Sequence, residues 1–165
     1  MDMASGTFVV HSAPRAVVNH IEWAVNGLIG APQRFRWREF PDQPGLVKLS
    51  FSWEANPGFA AKLASTLRGW VDLRFEIDES ASDRHPGVLV MHTPSLGLYT
   101  AEVNQAGSVV LSAERLHLLV ESSEHEYASL RRALSDALGE QWQHELEPYR
   151  RGELVPTATR LHAVG

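Results

Sequence analysis

The 165 residues include 15 basic and 20 acidic ones, a negative balance that argues against a nucleic-acid partner. The chain contains no cysteine, which excludes disulfides, thiol catalysis and cysteine-ligated zinc. No apolar stretch approaches the roughly 20 residues of a membrane-spanning helix and the first residues lack signal-peptide features, so we expect a cytoplasmic protein with no membrane partner.

The first part of the chain reads as strand, helix and hairpin. Residues 7–11 are almost all apolar, which predicts a central strand. Ser12 is expected to cap the following helix, whose apolar stripe runs over residues 17–28. Alternating apolar and polar residues at 34–38 and 47–54, separated by a proline- and glycine-containing turn, predict an antiparallel hairpin.

A second helix and a further strand follow this hairpin. Asn56 is expected to cap a helix over residues 59–67, which carries a continuous apolar stripe. Alternation at 73–78 predicts another half-buried strand. The order β-α-β-β-α-β over residues 7–78 is that of the split βαβ unit, so we expect a ferredoxin-like core.

The remaining chain is expected to extend this core. A second β-hairpin is predicted at 87–92 and 97–103. Ser112 should cap a short helix that ends near Leu119. A longer amphipathic helix is predicted over 124–147 and should lie on the open face of the sheet.

The long C-terminal helix carries its own start and break signals. Ser123 and Glu126 fit a capping box at its beginning, and Gly139 is a candidate kink. The sequence therefore predicts one α+β domain over residues 1–165, in which an appended half at 87–164 follows the ferredoxin-like half.

The junction after the first strand contains residue types that also occur in catalytic sites. His11 and Ser12 are adjacent, but the G-x-S-x-G turn that exposes a nucleophilic serine is absent. Because capping and core packing explain both residues, we predict no catalytic residue and favour a protein that is not an enzyme. The alternative is a ligand-binding cleft lined by His11, Arg15, His20 and His92.

Metal and cofactor sites receive little support from the sequence. The eight histidines form no H-E-x-x-H or other tight ligand spacing. Glycine-rich phosphate loops are absent as well. We therefore predict neither a metal site nor a bound cofactor.

A run of arginines stands out in the second predicted strand. We call it the arginine row: Arg34, Arg36 and Arg38. All three point to one face, which Lys48 and Arg74 can extend, and a basic sheet face can bind RNA, phosphate or an acidic partner. RNA-binding sheets also need aromatic residues on that face, whereas Phe35 and Trp37 alternate to the opposite one.

Acidic side chains on neighbouring strands offer cross-strand partners for these cations. The candidates are Glu54, Glu76 and Asp78. We therefore expect the arginine row to be charge-paired, either in solvent or beneath the helix at 124–147. If it is instead open and unpaired, it becomes a binding surface for an anionic partner.

The aromatic residues favour an interaction role. The candidates beyond ordinary core needs are Trp23, Trp70, Trp142 and Tyr149. We expect a non-enzymatic accessory or protein-interaction module, with Trp23, Tyr149 and the arginine row on its surface. The alternatives are a small-ligand binding protein or enzyme, and a homodimer formed through an exposed strand edge or the sheet face.

Several segments together carry a family resemblance. They are VVHSAPRAVVNHIEWAVNGLIG, SFSWEANPGFAAKLASTLRGWVDLRFEI, HTPSLGLYTAEVNQAGSVVLSAERL and ELEPYR. In order and spacing they resemble the actinobacterial family known as domain of unknown function 3145, over about Thr7 to His162. The resemblance implies an accessory role around fatty-acid and acyl-chain metabolism, and it supplies no catalytic residue. For the alternative of a ligand-binding cleft, acyl-CoA or an acyl carrier is the first ligand to test.

Overall fold

The computed structural model describes residues 3–152, so the part of the predicted appended half at 153–164 lies outside the described residues. The strands are β1 (Ala4–Pro14), β2 (Arg38–Phe40), β3 (Gln43–Ala55), β4 (Arg74–Glu79), β5 (Gly87–Thr93) and β6 (Gly97–Val103). The helices are α1 (Val18–Ile29), α2 (Phe59–Leu67), α3 (Ala113–Ser122), α4 (Tyr127–Ala137) and α5 (Glu140–Arg150).

All six described strands form one antiparallel sheet. Their order is β2-β3-β1-β4-β5-β6. The mixture of this sheet with helices confirms the predicted α+β class. The helix at 59–67 and the second hairpin also lie where the sequence predicts them.

The main core lies between one face of the sheet and the helices α1 and α2. Because side chains alternate between the two faces of a strand, every second residue of β1, β3 and β4 points into it. Its largest fully buried side chains include Phe8, Val10, Ile21, Val25, Leu63, Leu67, Phe75 and Ile77. We call this side of the sheet the helix face and the other side the open face.

Helix α5 covers only part of the open face. Leu146 packs with Met91 and Tyr99 in a second, smaller core. The Trp142 indole N–H also donates a hydrogen bond to the Gly97 carbonyl at 2.9 Å. Over β3, exposed side chains such as Ser50 remain on this face. The half of the sheet nearest β2 is therefore accessible.

The predicted start of α1 is wrong. Strand β1 continues to Pro14, and a turn of 3-10 helix over 15–17 separates it from the helix. Ser12 therefore lies in extended backbone, too far upstream to cap the helix. Its hydroxyl instead accepts a hydrogen bond from the Arg74 guanidinium at 3.3 Å.

The predicted cap of α2 is also wrong. Asn56 makes no capping bond, and the position before the helix is Gly58, with φ of 86°. The capping group is the buried carboxylate of Glu79 on β4, which accepts from the backbone N–H groups of Gly58 at 2.7 Å and Ala60 at 3.0 Å. A residue 21 positions away thus replaces the local cap.

The predicted single helix at 124–147 is two helices. The chain turns between α4 and α5 at Gly139, whose φ is 73°. The proposed capping box does not form, because the Ser123 hydroxyl donates to the Val120 carbonyl instead. By contrast, Ser112 does cap α3, accepting from the Arg115 N–H at 3.1 Å.

The second predicted strand is shorter than expected. Residues 34–37 are not in a strand, and β2 begins only at Arg38. Arg38 lies opposite Lys48 on the neighbouring strand β3. Phe35 and Trp37 are half-buried, whereas the three side chains of the arginine row are exposed.

Candidate functional site

A concave site opens on the accessible half of the open face, between β1, β3 and the last turn of α5. Its volume is about 360 Å³, within the size range of small-molecule pockets. We call it the basic pocket, after its polar lining: His11, Arg36, Arg38, Lys48, Tyr149 and Arg150. Val9 and Ser50 complete the part of the lining that is used below.

Two guanidinium groups and one ammonium group of this pocket have no acidic partner. Over residues 3–152, Arg36, Arg38 and Lys48 form no ion pair, although the Lys48 ammonium lies 5.3 Å from the Phe40 ring centroid. The expected charge pairing of the arginine row is therefore wrong within the described chain. Arg34 is equally exposed but does not line the pocket.

Two of the three acidic residues expected to neutralise the arginine row, Glu76 and Asp78, have other partners. Glu76 lies 2.5 Å from the His11 Nε2 atom and forms a forked ion pair with Arg150, whose Nε donates at 3.0 Å. Asp78 accepts from the backbone N–H and hydroxyl of Thr7. Glu76 thus neutralises Arg150 on one side of the pocket, and neither carboxylate forms an ion pair with the arginine row.

His11, Glu76 and Arg150 form what we call the Glu76 network. Burial raises the pKa of Glu76, but the hydrogen bonds and charges of His11 and Arg150 outweigh this and lower the pKa from 4.5 to about 2. The same pairing raises the pKa of Arg150. The carboxylate is ionised at neutral pH and ties together β1, β4 and the end of α5.

Tyr149, the neighbour of Arg150 in α5, is held over the sheet by a second contact. The Arg74 guanidinium lies 4.9 Å from the Tyr149 ring centroid, a cation–π distance. Arg74 also donates to Ser12 on β1. The aromatic wall of the pocket is therefore fixed to two strands, and Arg74 supports the pocket without lining it.

The aromatic residues between the arginines lie away from the basic pocket. The Phe35 ring packs 5.0 Å from the ring of Phe51. The Trp37 indole N–H donates to a carboxylate oxygen of Glu22 at 2.8 Å. The alternation inferred from the sequence therefore separates these rings from the exposed cations.

Two of the four candidate ligand-binding residues, Arg15 and His20, lie in or near α1 and outside the basic pocket. Arg15 forms an exposed ion pair with Glu39. The His20 ring packs edge-on against Trp70, with centroids 6.1 Å apart. Both side chains have structural contacts of their own.

The other two candidates lie on different faces of the sheet. His92 is buried on the helix face, where its Nδ1 atom lies 2.7 Å from the Leu73 carbonyl oxygen and its ring stacks on Phe75. His11 alone lines the basic pocket. The structure therefore does not bring His11, Arg15, His20 and His92 into one cleft.

The aromatic candidates also separate. Trp142 packs on Tyr99, with ring centroids 5.2 Å apart, and Trp70 packs against the main core. Trp23 on α1 is 76% exposed. Tyr149 lies in the basic pocket and Trp23 does not, so the predicted interaction residues belong to two different surfaces.

Sequence reasoning missed two polar side chains of the basic pocket. Ser50 lies two residues after Lys48 in β3, so the alternation of that strand already places it on the same face. Arg150 carried no such signal, because its position depends on how α5 folds back over the sheet. The arginine and lysine side chains of the pocket are cationic hydrogen-bond donors, which bind anions and not metal ions.

Within residues 3–152, no group of three or more histidine, aspartate or glutamate side chains could hold a metal ion. Over the same range, none of the helices is sufficiently long and apolar to cross a membrane.

Comparison with known proteins gives one match. A family model described as Protein of unknown function (DUF3145) matches residues 7–163. Neither the curated proteins nor the solved structures contain a match. The family match covers the whole basic pocket and all the described helices.

Proposed function

The chain belongs to the DUF3145 family, and we propose that it is a non-enzymatic binding module whose basic pocket holds an anionic group. One observation carries this proposal. Arg36, Arg38 and Lys48 line the same concave site, and none has an acidic partner among the described residues. Unpaired cations gathered in a pocket attract an anion from solution.

The arrangement of nearby polar groups supports binding rather than catalysis. The Ser12 hydroxyl contacts the Arg74 guanidinium, not an imidazole. The Nε2 atom of His11 is taken up by Glu76. Ser12, the serine next to His11 in the chain, is therefore not paired with an imidazole, the arrangement that activates a serine nucleophile.

Four finer assignments are proposals as well. We propose that residues 7–78 are a ferredoxin-like unit, because the order β2-β3-β1-β4 with α1 and α2 between strands is compatible with it. A cytoplasmic location, an actinobacterial source and a link to fatty-acid metabolism rest on the sequence and the family resemblance. Acyl-CoA and an acyl carrier are both anionic, which is compatible with the basic pocket.

A charge-matched pair of variants tests the proposed function. Arg38→Gln and Arg34→Gln each remove one exposed positive charge, but only Arg38 lines the pocket. Calorimetric titration of pyrophosphate and of a tetraglutamate peptide into the full chain measures anion binding. We expect at least one of these anions to bind, and Arg38→Gln to weaken it by about tenfold, because charge-assisted hydrogen bonds contribute about 1.5–3 kcal/mol each.

The control gives the contradicting result. If Arg34→Gln weakens binding as much as Arg38→Gln does, the effect comes from overall charge and not from the basic pocket. If neither anion binds the unmodified chain, the proposed function is wrong.

A further inference from the structure

We infer that the anion held in the basic pocket is a phosphate or diphosphate group of a small organic molecule. This inference rests on the proposed function, and it names the class of ligand. It follows from the spacing of the cations, the chemistry of guanidinium groups, and the shape and lining of the site.

The spacing of the cations calls for a multiply charged anion. Arg38 and Lys48 are direct partners across β2 and β3, and opposite residues in an antiparallel pair have Cβ atoms about 4.5–5.5 Å apart. Like charges in such positions repel each other. Arg36 adds a third cation to the same site, and no described carboxylate offsets the three. A bound group with about two negative charges would relieve this repulsion.

Guanidinium chemistry favours phosphate over carboxylate. Arginine binds both groups through paired N–H donors. A single carboxylate has one charge and two oxygens, which one arginine can satisfy. A phosphate monoester carries about −1.5 to −2 charges at neutral pH and three acceptor oxygens, so Arg36, Arg38 and Lys48 can all contact it.

The shape and lining of the site favour a small molecule over a protein surface. The pocket is concave and holds about 360 Å³, near the lower end of small-ligand sites. Val9 and the ring of Tyr149 give it an apolar wall, and Ser50 adds a hydroxyl. An organic group attached to the phosphate would lie against this wall.

The wall is held in place before any ligand arrives. Tyr149 packs under the Arg74 guanidinium, and its neighbour Arg150 is locked to Glu76. A pocket whose walls are already ordered loses less entropy on binding. The cations of β2 and β3 face this ordered wall across the site.

The test compares four anions at constant ionic strength by calorimetric titration into the full chain. They are pyrophosphate, glycerol 3-phosphate, glutarate and a tetraglutamate peptide. We expect the two phosphates to bind, and Arg38→Gln and Lys48→Gln each to weaken them by about tenfold or more. Arg34→Gln should change their affinity less than about twofold, since Arg34 does not line the pocket and an exposed charge without a direct contact contributes little to binding.

The outcomes separate this inference from the proposed function. If glutarate or tetraglutamate binds as tightly as the phosphates, the phosphate assignment is overturned while the proposed function stands. If no anion binds, both are wrong.

Thermal unfolding gives a second readout that also checks folding. Because Arg38 and Lys48 repel each other, Arg38→Gln should raise the unfolding midpoint of the ligand-free protein. Pyrophosphate should raise the midpoint of the unmodified chain by more than it raises that of the variant at the same concentration. A lower midpoint for the ligand-free variant would show that Arg38 has a structural role, and would overturn the argument from like charges.

Discussion

Glu76 shows how a single carboxylate joins parts of this chain that are far apart in sequence. It contacts His11 on β1 and Arg150 at the end of α5, 74 residues away. Because the carboxylate is mostly buried, removing its charge leaves both partners without a counter-charge. Breaking one side of a buried ion pair is strongly destabilising.

The substitution Glu76→Gln should therefore lower the free energy of unfolding by about 3 kcal/mol at neutral pH. Urea denaturation followed by circular dichroism measures this change. The control is Asp72→Asn, an exposed acid on the loop before β4, which should change stability by less than about 0.5 kcal/mol. Similar small effects for the two variants would contradict the role assigned to Glu76.

The pKa of Glu76 adds a pH dependence of known sign. The pKa is lowered from 4.5 to about 2 in the folded protein, so the stabilisation is present above pH 4.5 and is lost as the pH falls towards 2. A shift of this size corresponds to about 3 kcal/mol. Urea denaturation between pH 7 and pH 3 should show the difference between the unmodified chain and Glu76→Gln shrinking below pH 4.5. A difference that stays constant over this range would contradict the assignment.

At the level of elements, the start of α2 depends on a residue of another element. Glu79 accepts hydrogen bonds from two backbone N–H groups there, whereas Asn56 makes no capping bond. Glu79→Gln replaces a charged acceptor with a neutral one and should lower the free energy of unfolding by about 1 kcal/mol.

Asn56→Ala provides the comparison for this cap. The asparagine is exposed, so we expect its substitution to be nearly neutral in the same denaturation experiment. A larger loss for Asn56→Ala than for Glu79→Gln would restore the local cap that the sequence predicts.

The break between α4 and α5 depends on Gly139. Its φ is +73°, and a Cβ atom there would lie 2.7 Å from the Tyr99 ring and 2.9 Å from the Met91 side chain. Gly139→Ala should therefore lower the free energy of unfolding by about 2–4 kcal/mol, through backbone strain and overpacking together.

Gly107 separates these two causes. Its φ of +77° is similar, but a Cβ atom there would meet nothing within 4 Å. Gly107→Ala should cost only the backbone strain, about 1–2 kcal/mol. Equal losses in the two variants, measured by urea denaturation, would show that the contact with Tyr99 does not matter.

The elements that the sequence predicts well are those fixed by periodicity. The helix at 59–67 and the hairpin strands at 87–103 follow directly from apolar spacing. The errors occur where a distant contact replaces a local signal, as at Ser12 and Asn56. The single helix at 124–147 is wrong because positive φ and a close ring at Gly139 outweigh a continuous apolar stripe.

At the scale of the whole molecule, the basic pocket could be predicted only in part. The alternation of the arginine row and of the strand containing Lys48 already indicated a basic face. The last turn of α5, which supplies Tyr149 and Arg150, lies about 100 residues further along the chain. The sequence predicted that Glu76 would pair with the arginine row, whereas in the structure it pairs with His11 and Arg150. Sequence spacing carries no information about which of these cations Glu76 contacts.

Binding of an anion by the unpaired cations of the basic pocket can be located residue by residue. The measurement is a titration of isotopically labelled full chain with pyrophosphate at constant ionic strength, followed in two-dimensional amide NMR spectra. We expect the largest shifts at the residues that line the pocket, which are 9–11, 36, 38, 48–50 and 149–150. No shifts, or shifts of similar size scattered over the exposed surface, would contradict it.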